Sequence, residues 1–211
     1  MYRSSSDHKP QANIMTLTGS AHVNATPDMV LIRMGVQTMG ENLTEAQEEN
    51  ARLSQNVLQT LNQMGITNTQ TFQYVIDKIY EWENGIRMDR GYTVRNIFEI
   101  RISNVEATGA VIDAAVGSGA NLVEFISFEV SNTATYYRQA LNLAIRDGIQ
   151  KAKSISSNLG IPFNAIPIRI TENSTIPLPF SQMFTAREGF NTPIEAGEKR
   201  IDALVTLEFK Y

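Results

Sequence analysis

The chain of 211 residues has no cysteine and two histidines. The first absence removes thiol nucleophiles, disulfides, zinc–cysteine centres and iron–sulfur clusters together. The second removes His-based triads and His-rich metal sites, since His8 lies in a polar N-terminal stretch and His22 in the first strand-like run. Basic residues form no stripe of the kind that grips phosphates, and the formal charge of −4 argues against a nucleic-acid partner. No apolar run approaches the ~20 residues of a membrane-spanning helix. The opening MYRSSSDHKPQAN lacks the apolar stretch of a secretory signal, so nothing in the chain as written exports it. A chain without cysteine suits oxidising and reducing compartments equally. Phosphate-cradling loops are missing too, because Gly117-Ser118-Gly119 reads as a helix-to-strand turn. No cofactor, metal or catalytic residue is therefore expected, and the chain is read as a non-enzyme.

What is present reads as an α+β domain. Met1 to Asn13 has no periodicity and reads as a flexible tail, followed by one domain over 14–211. Ile14 to Thr26 and the run carrying Val30, Ile32, Met34 and Val36 alternate as strands and read together as a hairpin or bent ribbon. Asn42 caps a helix with Glu45 three residues on, and Leu43, Ala46, Leu53, Val57, Leu61 and Met64 recur at helical spacing until Gly65 stops it. Thr71 to Trp82 places Phe72, Tyr74, Ile76, Tyr80 and Trp82 on one face. Tyr92 to Ile102 alternates likewise, giving two long antiparallel strands, and Glu83 to Arg90 between them contains Asn84, Gly85 and Asp89, turn residues that favour a hairpin. A short helix at 106–116, a strand at 121–130, a long helix at 135–159 ended by Gly160, and strands at 166–170 and 201–209 complete the order ββαββαβαββ. Such stripes bury most economically as two layers, mainly antiparallel sheets packed by three helices.

Carboxylates offer no convincing acid–base pair. Glu48 with Glu49 and Glu81 with Glu83 fall on solvated faces, and Asp113 and Asp147 lie in helices where ion pairing is their ordinary role. The unusual feature is the connection 174–199, long for a compact domain. It carries Leu178, Phe180, Met183, Phe184 and Phe190, side chains that water disfavours and that call for a partner, either their own domain or another subunit. Trp82, near a hairpin tip, is the other candidate contact, unless it belongs to a cross-strand aromatic pair. A pocket between helices and sheet, lined by Tyr74, Tyr92 and Phe98, would make the chain a small-molecule binder instead.

Several segments in order carry a family resemblance: GSAHVNATPD at 19–28, EAQEENA at 45–51, GYTVRN at 91–96, VIDAAVGSGANLVEFISF at 111–128, KAKSISSNLG ending at Gly160, and IEAGE at 194–198. The chain resembles the SIMPL-domain proteins over about Leu17 to Tyr211. That resemblance implies an α+β domain able to assemble into large ring-like oligomers, with no catalytic residue or cofactor to carry over. It also implies an envelope-associated, stress-protective role in the periplasm or at the cell surface. The chain departs from the family in writing Gly19-Ser20-Ala21 where Gly-Glu-Gly is usual, and in lacking a leader, which leaves the cytoplasm open. The expectation is a homo-oligomer that works through protein contacts. Asp113 and Glu198 are the matched charges that could fix a loop or a subunit contact.

Overall fold

The computed structural model describes residues 13–173 and 196–211. The expected tail, apart from Asn13, lies outside the described residues. So does most of the long connection, with Leu178, Phe180, Met183, Phe184 and Phe190. The described chain divides into two units, one of residues 13–25, 132–173 and 199–211, the other of 26–131 with 196–198. The order of strands and helices is the expected one.

In the first unit, β1 (Ile14–Ala25) pairs antiparallel with β7 (Lys199–Lys210), and β7 with the short β6 (Arg169–Glu172), giving the order β1-β7-β6. Helix α3 (Thr133–Leu159) covers one face of this sheet. Asn132 accepts the Thr135 N–H at its start, and Gly160 ends it in the left-handed region at φ 64°. The buried stripe is small: Ala140, Ala144, Gly148, Ala152 and Ser156 succeed one another every fourth residue. This lets helix and strand backbones meet, since a Cβ on Gly19 would lie 2.0 Å from the Ala144 carbonyl oxygen.

In the second unit, four antiparallel strands run in the order β3-β4-β2-β5, with β2 (Met29–Gly40), β3 (Thr69–Glu83), β4 (Ile86–Ile102) and β5 (Leu122–Glu129). Helices α1 (Leu43–Gln63) and α2 (Thr108–Gly117) share one core with the sheet, through Val30, Ile32, Met34, Val36, Val57, Leu61, Phe98, Ile100, Val111 and Ile112. The expected β1–β2 hairpin does not form, and the two strands enter different sheets. Residues 26–28 contain Pro27, which extends its neighbour and lacks an N–H. The Asp28 N–H instead donates to the Glu129 carbonyl at 3.0 Å, and its carboxylate accepts the Ser131 N–H at 2.7 Å, tying the start of β2 to the end of β5.

Two polar groups fix this sheet from opposite sides. On the α1 side, buried Asn50 donates from its carboxamide to the Val36 and Val94 carbonyls, each at 3.0 Å, bridging β2 and β4. Ser54 donates to the Asn50 oxygen and accepts from Asn96, which extends the link. On the other side, the Glu99 carboxylate is 5% exposed and accepts from Arg33 at 2.9 and 3.1 Å, Arg101 at 2.8 Å and Gln70 at 3.0 Å. Burial works to raise the Glu99 pKa. The Arg33 hydrogen bonds, the Arg101 charge and the Gln70 amide together outweigh it and hold the carboxyl below its ordinary range.

Asn50→Asp sets an anionic oxygen against two carbonyls, and chemical denaturation should show a loss of about 2–4 kcal/mol, more than Asn50→Ala loses. Because the folded pKa of Glu99 is depressed, its stabilisation is complete above the unfolded carboxyl value of about 4.3 and is lost as pH falls through the lower folded value. Glu99→Gln should therefore lower stability at neutral pH and flatten the acid limb of the stability–pH curve. An unchanged acid limb would contradict this assignment.

Candidate functional site: the exposed β3–β4 arm

β3 and β4 form a far longer hairpin than the sequence suggests. The eight-residue connection expected at Glu83 to Arg90 is a two-residue turn, Asn84-Gly85, with φ 49° and 79°. Positive φ at both positions matches the twist of the flanking strands, which is why Asn-Gly favours such turns. Pairing runs through Glu83↔Ile86, Trp82↔Arg87 and Tyr80↔Asp89 to the tip. Gly91 sits inside β4 and not in a tight turn. Its φ is 93°, and a Cβ there would lie 2.3 Å from the Gly40 carbonyl oxygen, so the ribbon bends at a glycine that packs on the end of β2. Beyond that bend, every residue from 80 to 90 is exposed.

A bulge at Phe72 in β3, and a second in β4 at Arg90–Gly91 opposite Ile79, set which side chains share a face. The first corrects the expected aromatic row. Phe72 lies on the Glu99 side, with the Arg33 guanidinium 3.7 Å from its ring centroid, while the Tyr74 hydroxyl accepts from Gln47 of α1 on the opposite side. From Lys78 outward, one face carries cations over rings. The Lys78 ammonium lies 5.5 Å from the Tyr92 ring and 5.7 Å from that of Tyr80, and Arg87 lies 4.2 Å from Tyr80. Lys78 also pairs with Asp89. That hydrogen bond, with a second from the Gly91 N–H, holds the Asp89 carboxyl below the usual range, and the Lys78 ammonium is raised in turn. On the other face, Arg90 pairs with both Glu81 and Glu83.

This ionic frame leaves large apolar side chains in water. Trp82 is 70% exposed and Ile86 65%, two and one residues from the turn, with Tyr80 and Met88 behind them and Tyr74 and Ile76 nearer the base. Opposite Trp82 stands Arg87, so no cross-strand aromatic pair covers it. Ile86 and Met88 escaped the sequence reading because they fell in the presumed connection. Asn84-Gly85 marks a hairpin in the sequence, and reading it as a two-residue turn would have placed Ile86 and Met88 on the strand.

The other residues singled out by the sequence lie away from the arm. Glu49 pairs with Arg52 at 2.6 Å, and that bond holds its carboxyl low. Asp147 pairs with Lys151 at 2.6 Å. Phe98 is 2% exposed within the core, so it cannot line a pocket. A shallow depression of about 430 Å³ lies instead in the first unit, beside Phe163, Ile168, Lys210 and Tyr211. Asp113 lies on α2, and Glu198 just before β7. Among the described residues no cluster of three His, Asp or Glu side chains could hold a metal ion, and no helix is long and apolar enough to cross a membrane.

The chain is 25% identical over 210 residues to the 26 kDa periplasmic immunogenic protein of Brucella melitensis, covering 93% of this chain and 84% of that one. It is 20% identical over 202 residues to the uncharacterized protein YggE of Escherichia coli K12, covering 94% and 81%. The YggE of Edwardsiella ictaluri is 20% identical over 186 residues, covering 86% and 78%. The profile of the SIMPL family, described as a protein of unknown function (DUF541), matches residues 15–209, which take in both sheets and all three helices, and the chain belongs to that family.

Proposed function

We propose that the chain works without chemistry of its own, through self-assembly and protein contact at the bacterial envelope, with the β3–β4 arm as the contacting element. The observation that carries this reading is the arm itself. Tyr80, Trp82, Ile86 and Met88 are exposed at the end of a ribbon whose two strands are pinned by three ion pairs. Water disfavours such a set, and strands already paired and cross-linked by ion pairs have less freedom to lose when a partner covers them than an open loop would. Aromatic, methionine and arginine side chains are also those enriched where proteins meet. The name of the Brucella relative supports a periplasmic setting. The family resemblance supports assembly and a stress-protective role.

Multi-angle light scattering of the native chain beside a Trp82→Ser/Ile86→Ser variant tests this. The native chain should run as an oligomer and the variant at half that mass or less. Far-ultraviolet circular dichroism should show the native secondary structure in the variant, because both side chains are exposed in the single chain. A monomeric native chain, or an oligomer indifferent to both changes, would overturn the reading.

A further inference from the structure

We propose that β1 is a strand-addition edge for a second copy of this chain, held closed by the Asp147–Lys151 pair of α3. β1 is the outermost strand of the β1-β7-β6 sheet. Its twelve residues, IMTLTGSAHVNA, include no Asp, Glu, Lys, Arg or Pro, and it pairs with β7 in unbroken register from Ile14↔Lys210 to Ala25↔Lys199. Long, straight, uncharged edges are templates for another strand, and proteins ordinarily blunt them with charges, prolines or bulges. β3, one edge of the other sheet, has such devices in its bulge at Phe72 and in Asp77, Lys78, Glu81 and Glu83. β1 has none within its own sequence.

The blunting comes from α3. The Ser20 N–H donates to Asp147 Oδ2 at 2.9 Å, and Lys151 Nζ donates to the Thr18 carbonyl at 3.0 Å and to the same Asp147 oxygen at 2.6 Å. Both backbone groups point away from β7, near the middle of the edge, where an incoming strand would place its own carbonyl and N–H. The pair therefore occupies the two positions from which pairing would spread. Close packing of Gly19 under Ala144 and Gly148 sets this reach. The Lys151 bond and the Ser20 N–H hold the Asp147 carboxyl below its ordinary range, so Asp147 stays ionised at neutral pH. A second copy is the partner that suits the edge. An antiparallel register centred on Ser20 sets Thr18 opposite His22 and Thr16 opposite Asn24, so no like charges oppose. This contact is independent of the β3–β4 arm.

The test measures mass by sedimentation equilibrium over a concentration series, for the native chain, Asp147→Ala/Lys151→Ala, and the same double variant with Ser20→Pro. The double variant should reach about twice the native mass at equal concentration. Both side chains are partly exposed, and far-ultraviolet circular dichroism should show the native sheet content. Ser20→Pro removes an N–H that β7 does not use, so it should restore the native mass. A double variant with native mass throughout would overturn the proposal. So would a mass gain that survives Ser20→Pro, since association would then run through another surface. Repeating the series with Trp82→Ser/Ile86→Ser separates this result from any contribution of the arm.

Discussion

The Asn50 carboxamide holds α1, β2 and β4 to one another, and the arm is aimed from that junction. One side chain donates to carbonyls on two neighbouring strands, so the helix cannot slide along the sheet without leaving both unpaired. Buried polar groups that lose their partners cost more than a formed hydrogen bond gains, which makes such a link a positional constraint more than a source of stability. Downstream of Val94 the core is packed tightly by Phe98 and Ile100. Upstream lies Gly91, whose missing side chain lets β4 pass against the end of β2 and turn outward. The exposed hairpin thus extends directly from strands that run through the core of its unit.

Strand edges show a consistent division. Where β5 stops short along β2, the Asn121 side chain continues the ladder, accepting the Gln37 N–H at 2.7 Å and donating to the Gln37 carbonyl at 2.8 Å. Along β1, Asp147 and Lys151 play the corresponding part. Both use side-chain groups in place of a missing strand. The arm receives no such cover, and its ion pairs run between its own two strands, leaving Trp82 and Ile86 facing outward. Among the described residues, side chains thus guard the middle of β1 and the end of β2, while the arm presents apolar side chains to the solvent.

Element order was legible in the sequence because each helix announces itself locally. Asn42 and Gly65 bound α1, Gly160 ends α3, and apolar spacing marks the strands between. What escaped depended on partners distant along the chain. Nothing near residues 26–28 says that β1 will pair with residues 199–210 and not with β2. Phe72 looked like one of an aromatic row until a bulge moved it to the opposite face. Asn50 and Ser54 resemble surface positions on a helix, and only the sheet beneath them shows their role. Asp147 and Lys151 read as an ordinary i,i+4 pair, and their bonds to the β1 backbone have no counterpart in local sequence. Trp82 was legible as a candidate contact, whereas Ile86 and Met88 were not, because the turn beside them was taken to be longer.

The chain has one tryptophan, and it stands near the tip of the arm, so its emission reports on that surface alone. The most direct test of contact through the arm follows Trp82 emission and its quenching by acrylamide as the protein is concentrated from nanomolar to micromolar levels, with the mass measured in parallel. Contact through the arm predicts water-exposed, freely quenched emission at high dilution. As the particle grows, that emission should shift to the blue and become protected from quencher. A particle that grows while Trp82 stays fully quenchable would contradict the account and place assembly on another surface.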